Sequence, residues 1–312
     1  MRIGIVIALH GPAGAAPRWR HVRDQALIAE AVGFDLAVVE DALLHPDAER
    51  PVGYWESVSM LGALAAATSR IELGHSVLNA PYRSAGLTAK IAATLDEIGG
   101  GRCFLGIGLG NTDDYDRFGI AADRRFARFE ESIRIIHELL RTGRADVDGR
   151  YQAVHDARMV LRGPRADGPP IVIAARGPKM LRLAARYADG WNWWAAGRPD
   201  ADRLTPIVSD LGRACEEVGR DPATLRRSLD MYSVDPLGRY TGDADSIAGS
   251  PDEIAEALLA AGELGFDEVR VNVYPLDSLE ALPRAIEALA GVVELVHAAD
   301  SAARRPSAAT AS

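Results

Sequence analysis

The sequence predicts an α/β fold, a (β/α)8 TIM barrel with an insertion between the fourth and fifth strands. Apolar strand-like runs alternate with amphipathic helix-like segments eight times along the 312 residues, which is the pattern of a parallel barrel. Several runs are apolar at every position, and this indicates strands covered on both faces. The first strand has no GxGxxG turn after it, which disfavours the alternative of an open doubly wound sheet.

The predicted elements follow one another in strict alternation. The strands are Arg2 to Ala8, Leu36 to Glu40, Ile71 to Val77, Cys103 to Gly108, Ile171 to Ala175, Gly190 to Trp194, Ser228 to Val234 and Glu268 to Tyr274. The helices lie near Trp19 to Val32, Tyr54 to Thr68, Leu87 to Ile98, Arg125 to Leu140, Pro178 to Tyr187, Ala201 to Val218, Pro251 to Leu264 and Leu279 to His297. Because the carboxyl ends of barrel strands meet at one mouth, we expect the chemistry there.

Two connections are longer than a β/α unit requires. Residues 143–170 contain two short alternating runs, which predict a hairpin or an extended flap. Asp235 to Ser250 follows the carboxyl end of the seventh strand and is the better candidate lid. Residues 298–312 are small and polar, which predicts a disordered tail and leaves residues 1–297 as a single domain.

Charge and composition restrict the kinds of partner and ligand that we expect this protein to bind. The formal net charge of −9, from 35 basic and 44 acidic residues, disfavours nucleic acid and anionic membranes. The first apolar run indicates a strand and not a signal peptide, and no run approaches the length of a membrane span. Cys103 and Cys215 lie far apart, which predicts reduced thiols in a cytoplasmic protein. No His-x-His or acidic cluster suggests a metal.

The stretch from Pro170 to Trp194 predicts an anion site. It indicates a buried strand, a tight turn, a short helix and another buried strand. Pro178 suits the first helical turn, and Gly177 lets a ligand approach the backbone. Free N–H groups, the helix dipole and the guanidinium of Arg176 would all favour a phosphate. An ordinary strand-to-helix turn with a solvated arginine is the alternative.

Polar and small residues follow most of the predicted strands and would share one rim. They are His10, Asp41, Ser76, Asn79, Gly108, Gly110, Arg176, Trp193 and Tyr274. His10 and His75 are candidate acid/base groups, because imidazole titrates near neutral pH. For each histidine the alternative is a hydrogen-bonding wall residue.

Three separated stretches resemble a known family: Arg70 to Gly110, Arg124 to Leu140 and Ile171 to Asn192. They are similar to the bacterial luciferase-like superfamily of flavin and deazaflavin enzymes, and the resemblance covers Arg2 to about Tyr274. It implies a barrel, usually dimeric, that binds reduced FMN or reduced coenzyme F420 at the carboxyl mouth. It further implies a small organic substrate and a separate flavin or F420 reductase as a partner.

The resemblance also assigns roles to positions. Ser76 and Val77 match a non-proline cis peptide that supports the coenzyme ring, and Gly108 and Gly110 match a glycine-rich strand end beside the ring or ribityl chain. Asp41 matches a position that contacts the coenzyme in deazaflavin members, and it is also a candidate catalytic group. Asn79 lies beside these positions. The phosphate-binding turn corresponds to Ala174, Ala175, Arg176, Gly177 and Pro178.

The chain departs from the family pattern at two places. Ala42 stands where many deazaflavin members have a histidine, which disfavours the sugar-phosphate dehydrogenase subtype, although His45 is close enough to replace it. Leu109 and Gly110 stand where FMN-using luciferases commonly carry an arginine, and Arg176 is the substitute. These features favour F420 over FMN without excluding FMN.

The predicted function is therefore a flavin-type oxidoreductase. It would catalyse hydride transfer with reduced F420, or monooxygenation with FMN, on a small organic substrate. The alternatives are a flavin-binding relative without turnover and a sugar-phosphate aldolase or isomerase. A Schiff-base aldolase needs a lysine at a strand end, whereas Lys90 and Lys179 fall in predicted helices.

Overall fold

The computed structural model describes residues 1–11, 17–44, 52–112, 115–195, 197–238, 246–273 and 278–303. Its strands are β1 (Arg2–Val6), β2 (Leu36–Val39), β3 (Glu72–His75), β4 (Leu78–Asn79), β5 (Cys103–Gly108), β6 (Arg144–Asp148), β7 (Ala153–Arg158), β8 (Ile171–Ala174), β9 (Gly190–Ala195), β10 (Arg226–Asp235), β11 (Ile247–Ala248) and β12 (Glu268–Asn272). Its helices are α1 (Trp19–Val32), α2 (Ser57–Ala67), α3 (Ala85–Ile98), α4 (Arg125–Thr142), α5 (Gly177–Tyr187), α6 (Ala201–Glu217), α7 (Pro251–Glu263), α8 (Ala281–Ala288) and α9 (Ala290–Ala303).

Eight parallel strands close into a barrel, as the sequence predicts. Their order is β1, β2, β3, β5, β8, β9, β10 and β12, and β12 pairs with β1 to complete the ring. Each strand precedes at least one helix, so the helices form an outer layer. This right-handed repetition of strand and helix gathers all the carboxyl ends of the strands at one mouth.

Side chains on the barrel strands alternate between the interior and the helix layer. Ile3 and Ile5 face the helices and belong to the main core. The interior positions form a separate apolar cluster of Leu36, Val38, Phe104 and Val172, with Val6 packed against it. We call this set the interior plug. Gly74 makes room for it, because a Cβ there would lie 2.3 Å from the Phe104 ring.

The segment between β5 and β8 holds α4 and an antiparallel pair, β6 and β7. Seven residues of the predicted lid, 239–245, lie outside the described residues. The part of the lid that is described includes β11, which pairs with the end of β10. His45 and Tyr274 also lie outside the described residues.

The carboxyl-terminal prediction needs two corrections. The single helix predicted from Leu279 to His297 is two helices, α8 and α9, separated at Leu289. The tail predicted from residue 298 is wrong at its start, since α9 continues through Ala303. Val292 and Val296 are fully buried and dock α9 onto the barrel, and alanine, which is small but a strong helix former, extends it. Residues 304–312 lie outside the described residues.

Candidate active site

The ends of β3, β5 and β8 meet in a surface of small side chains and backbone. The Ser76–Val77 peptide bond is cis, as the family resemblance implies. A Cβ on Gly108 would lie 2.8 Å from Val77 Cγ2 and 3.4 Å from Ala174 Cβ. A side chain at Gly108 would therefore separate the three strand ends. Such close approach of backbone gives a flat, uncluttered wall on one side of the mouth.

The loop after β5 is fixed by side chains that surround Gly110. This glycine has a φ of +65°, and a Cβ would lie 2.1 Å from Asn79 Cγ. The Tyr115 hydroxyl donates to Asn79 Oδ1 at 2.7 Å, and Arg125 donates to the Gly110 carbonyl at 2.5 Å. Asn79 is 1% exposed, so it positions the loop and does not line the mouth.

Asp41 is saturated by donors from the protein. Its carboxylate accepts hydrogen bonds from Ser57 Oγ at 2.6 Å and from the Asn79 N–H at 2.9 Å. Arg83 donates to both carboxylate oxygens, at 2.7 and 3.2 Å, and also pairs with Glu56 at 2.7 Å. This arrangement suits an anchor for the backbone at Asn79. The catalytic and coenzyme-contacting roles that the sequence suggests for Asp41 stay predictions.

The two candidate histidines have different surroundings. His10 lies just beyond β1 at the mouth, 8% exposed, with its ring 4.6 Å from that of Tyr54. His75 is fully buried, and neither ring nitrogen has a hydrogen-bond partner among the described residues. Burial lowers the pKa of His75 to about 4, so its ring is neutral at pH 7. Strand alternation explains the difference, because Gly74 faces the interior and His75 faces the helix layer.

The amino end of α5 fits an anion. Gly177 has a φ of +72° and opens on free space, Pro178 occupies the first turn, and no side chain caps the helix. The Arg176 guanidinium carbon lies 4.8 Å from the Trp193 ring centre and 5.9 Å from that of Trp194. Stacking on these rings fixes the guanidinium of the residue just before the helix, and the free N–H groups and helix dipole at the start of α5 also favour negative charge.

The tryptophans of β9 alternate between the two faces of the strand. Trp191 is fully buried, its ring stacks 6.0 Å from that of Phe266, and Trp193 packs against it at 5.8 Å. Trp194 faces the other way and is 46% exposed. Trp191 is therefore a core residue, whereas the rings of Trp193 and Trp194 contact the Arg176 guanidinium.

A polar network inside the barrel was missed by the sequence reasoning. Ser76 Oγ donates to Asp230 Oδ2 at 2.5 Å, and Asn192 Nδ2 donates to Asp230 Oδ1 at 2.9 Å. Arg270 donates to Ser76 Oγ at 3.0 Å and pairs with Glu268 at 2.8 Å. Its signal in the sequence is a charged residue in the middle of an otherwise apolar strand, as at Asp230 and Arg270.

A separate cavity of about 360 Å³ lies at the opposite end of the barrel, where the strands begin. Glu72, Phe104, Val172, Arg226, Glu268 and Arg270 are among its lining residues. Phe104 and Val172, which belong to the interior plug, are among the residues that line the cavity. Within the described ranges no three His, Cys, Asp or Glu residues could hold a metal ion. No helix among those described is long and apolar enough to cross a membrane.

A closed parallel barrel with a flat backbone wall and an uncapped helix start at its mouth has the features expected of a coenzyme-binding barrel. The family model of the luciferase-like monooxygenases matches residues 1–234. The chain belongs to this family, and its relatives carry oxidoreductase names.

Curated relatives are about a third identical to this chain over the stretches that align. An F420-dependent glucose-6-phosphate dehydrogenase of Nakamurella multipartita is 36% identical over 217 residues, which are 67% of this chain and 61% of the relative. A 5,10-methylenetetrahydromethanopterin reductase of Methanolobus tindarius is 31% identical over 238 residues, 74% of this chain and 68% of the relative. A phthiodiolone/phenolphthiodiolone dimycocerosates ketoreductase of Mycobacterium tuberculosis is matched over 45% of its length. The chain spans about half the length of several curated relatives it matches.

Solved structures support the same fold. An F420-dependent secondary alcohol dehydrogenase in complex with an F420-acetone adduct superposes with a TM-score of 0.78 at 19% identity, covering 95% of this chain and 98% of that one. A monooxygenase from Streptomyces bottropensis superposes with a TM-score of 0.75 at 20% identity, covering 94% and 99%. At these identities the likeness concerns the barrel alone.

Proposed function

We propose that this protein is an oxidoreductase that binds reduced coenzyme F420, or less favourably FMN, at the barrel mouth and acts on a small organic substrate. The observation that carries the proposal is the pairing of two surfaces: the anion-binding start of α5 and the flat wall at Val77, Gly108 and Ala174. A coenzyme with a planar ring and a phosphate tail needs both. The F420-dependent names of several relatives support the choice of coenzyme.

The residues present fit such a coenzyme. Arg176 and the free N–H groups at Gly177 and Lys179 would hold the phosphate. Val77, Gly108 and Ala174 would support the ring, and a Cβ at Gly108 has no room beside them. When bound, F420 supplies a hydride and FMN supplies oxygen activation. The chain itself binds the phosphate, orients the ring and keeps water from one face of it.

The preference for F420 rests on the loop after β5. Leu109 and Gly110 carry no charge, and the nearby Arg125 is engaged by the carbonyls of both, at 2.9 and 2.5 Å. Its guanidinium is thus used within the loop. Arg176 is left as the arginine for the phosphate.

Two alternatives remain open to experiment. A sugar-phosphate aldolase or isomerase would use the same anion site, but Lys90 lies on α3 and Lys179 lies on α5, with its ammonium 5.5 Å from the Phe126 ring. Neither lysine is at a strand end, so Schiff-base chemistry is disfavoured. A coenzyme-binding relative without turnover would bind F420 or FMN normally and convert no substrate.

The test is a titration of the apoprotein with oxidised and reduced F420 and FMN, followed by tryptophan quenching and coenzyme fluorescence. We expect tighter binding of F420. Arg176→Ala should weaken binding about 10-fold or more, the usual loss for a hydrogen bond to a charged group. Arg182→Ala, on the exposed side of the same helix and paired with Glu217, is the matched control. Binding of neither coenzyme, or equal affinity of the Arg176 variant, would contradict the proposal.

We further propose a cytoplasmic homodimer that receives its reduced coenzyme from a separate reductase. Free, buried Cys103 and Cys215 support the compartment. Exposed apolar side chains on α3 and just after β7, at Leu87, Val160 and Leu161, support self-association. Sedimentation of the wild type and of Leu161→Glu tests the dimer, and a variant that sediments like the wild type would argue against this surface.

A further inference from the structure

The floor of the mouth carries two carboxyl groups with different partners. Asp230 accepts hydrogen bonds from Ser76 Oγ at 2.5 Å and Asn192 Nδ2 at 2.9 Å, and it forms an ion pair with Arg270 Nη1 at 3.5 Å. Glu40 receives none, since its carboxyl forms no hydrogen bond or ion pair with the described residues. Burial raises the pKa of Asp230 as well, but its donors stabilise the carboxylate, so we place the negative charge on Asp230 and the proton on Glu40.

Strand register brings Glu40 next to this network. Val39 pairs with His75, and the Ser76 N–H donates to the Val39 carbonyl at 2.9 Å. Glu40 and Ser76 are therefore the next facing pair, on adjacent strands. Leu36 and Val38 belong to the interior plug, and alternation places Glu40 on the same interior face. Ser76, in contact with Asp230, links the two carboxyl groups.

Glu40 is reached from the mouth. Glu40, Ser76 and Asp230 are all partly exposed, yet none of them lines the cavity at the opposite end of the barrel. Their exposed surface consequently opens toward the proposed coenzyme wall.

The surroundings of Glu40 favour the protonated form of its carboxyl group. Burial raises the pKa of Glu40 to about 7, and the charge on Asp230 contributes to the rise. Arg270 faces Asp230 from β12 and pairs with Glu268. On β1 the neighbouring interior residues are apolar, and beyond them lies His10. Asp41, Arg83 and His75 belong to the helix-facing side, where Arg83 pairs with Asp41.

We propose that Glu40 is the proton donor of the mouth, a carboxylic acid that hands its proton to the substrate. The inference rests on the proposed function, because it assigns this residue to reduction of a carbonyl-type substrate. Hydride arrival at the carbonyl carbon leaves charge on oxygen, and the Glu40 O–H bond breaks as the alcohol O–H bond forms. The hydride donor is the reduced deazaflavin, which leaves oxidised. Glu40 regains a proton from the solvent, into which the oxidised donor has released one.

The first test needs no coenzyme. Infrared pH titration of the full chain carrying isotope-labelled glutamate reports the C=O stretch of any protonated glutamate. We expect a band that titrates with a midpoint of about 7 and disappears in Glu40→Gln. Glu72→Gln, on an interior position of β3 at the other end of the barrel, is the matched control and should keep the band. A band that persists in Glu40→Gln, or the absence of any band in the wild type at pH 7, would overturn the proposal.

Asp230→Asn tests the neighbouring charge. Removing it should move the midpoint to lower pH by about 1 unit or more. If this variant unfolds because Arg270 loses a partner, the comparison of the wild type with Glu40→Gln still tests whether Glu40 carries the proton. A folded variant with an unchanged midpoint contradicts the pairing of the two groups.

Steady-state kinetics of Glu40→Gln provide the last test. With the coenzyme selected by titration, Glu40→Gln should lower kcat about 100-fold or more while coenzyme affinity and KM stay close to the wild type. Normal coenzyme binding with unchanged kcat would refute the role of Glu40. Failure of the wild type to bind either coenzyme would instead refute the proposed function and leave the infrared result intact.

Discussion

Replacement of His75 by leucine should remove much of the acid sensitivity of this fold. His75 is fully buried, and both ring nitrogens lack partners among the described residues. Burial lowers its folded-state pKa to about 4 from an ordinary value of 6.5. Above pH 6.5 the ring is neutral in both states and contributes no pH dependence. As the pH falls from 6.5 toward 4, the unfolded chain binds a proton that the folded chain excludes, so stability is lost across this window.

The magnitude follows from the two pKa values. At about pH 5 the unfolded histidine is almost fully protonated and the folded one is not, which costs about 2 kcal/mol of folding stability. His75→Leu removes this loss and also removes two unpaired polar atoms. At about pH 8 the variant should lie within about 1.5 kcal/mol of the wild type, since leucine has a similar volume. At about pH 5 the stability of the variant relative to the wild type should be about 2 kcal/mol higher than it is at about pH 8.

Urea unfolding at a series of pH values measures the effect, and subtracting the two curves cancels the carboxyl groups common to both proteins. His155→Gln, at an exposed position on β7, is the control and should change the curve by less than about 0.5 kcal/mol. Parallel curves for the wild type and His75→Leu between about pH 8 and about pH 5 would refute the reasoning.

Three further changes probe the mouth. Gly110→Ala places a Cβ at a φ of +65° and 2.1 Å from Asn79. We expect it to lower the free energy of unfolding by about 1 to 3 kcal/mol and to weaken coenzyme binding. The control, Gly212→Ala within α6, should stabilise the fold by about 0.5 to 1 kcal/mol. Asp41→Ala leaves the Asn79 N–H without its partner and Arg83 with Glu56 alone, and should cost about 2 to 4 kcal/mol by urea unfolding, against about 0.5 kcal/mol or less for Glu138→Ala in the exposed pair with Arg134. Gly108→Val should abolish coenzyme binding because its side chain enters the flat wall, and binding equal to the wild type would exclude that wall as the ring site.

The fold was predictable because its signals are local and repeated. β5 and α1 have the predicted bounds, and the remaining barrel strands differ from prediction by a few residues at their ends. The family resemblance also anticipated the cis bond at Ser76–Val77. Apolar periodicity carries this information without any knowledge of tertiary contacts. The start of the tail was mispredicted, because the composition of residues 298–303 does not reveal that Val292 and Val296 dock the helix that continues into them.

Side-chain roles at the mouth were harder to predict. Being near a strand end placed Asp41 and Asn79 in the right region, but only the fold brings Ser57 and Arg83 to Asp41 and Tyr115 to Asn79. Alternation alone could have shown that His75 faces away from the interior. Alternation also predicts that the Glu40 side chain faces the interior, since Leu36 and Val38 lie on the same face of the strand. The Asp230 network joins residues 154 positions apart in sequence, and no local pattern contains that contact.

The most direct test of the account is a crystal structure of the protein with oxidised F420 bound. We predict the ring against Val77, Gly108 and Ala174, the phosphate at the Gly177 N–H and the Arg176 guanidinium, and an open path from the ring to Glu40. Coenzyme bound in the cavity at the opposite end of the barrel, or a phosphate remote from the start of α5, would contradict the central claim.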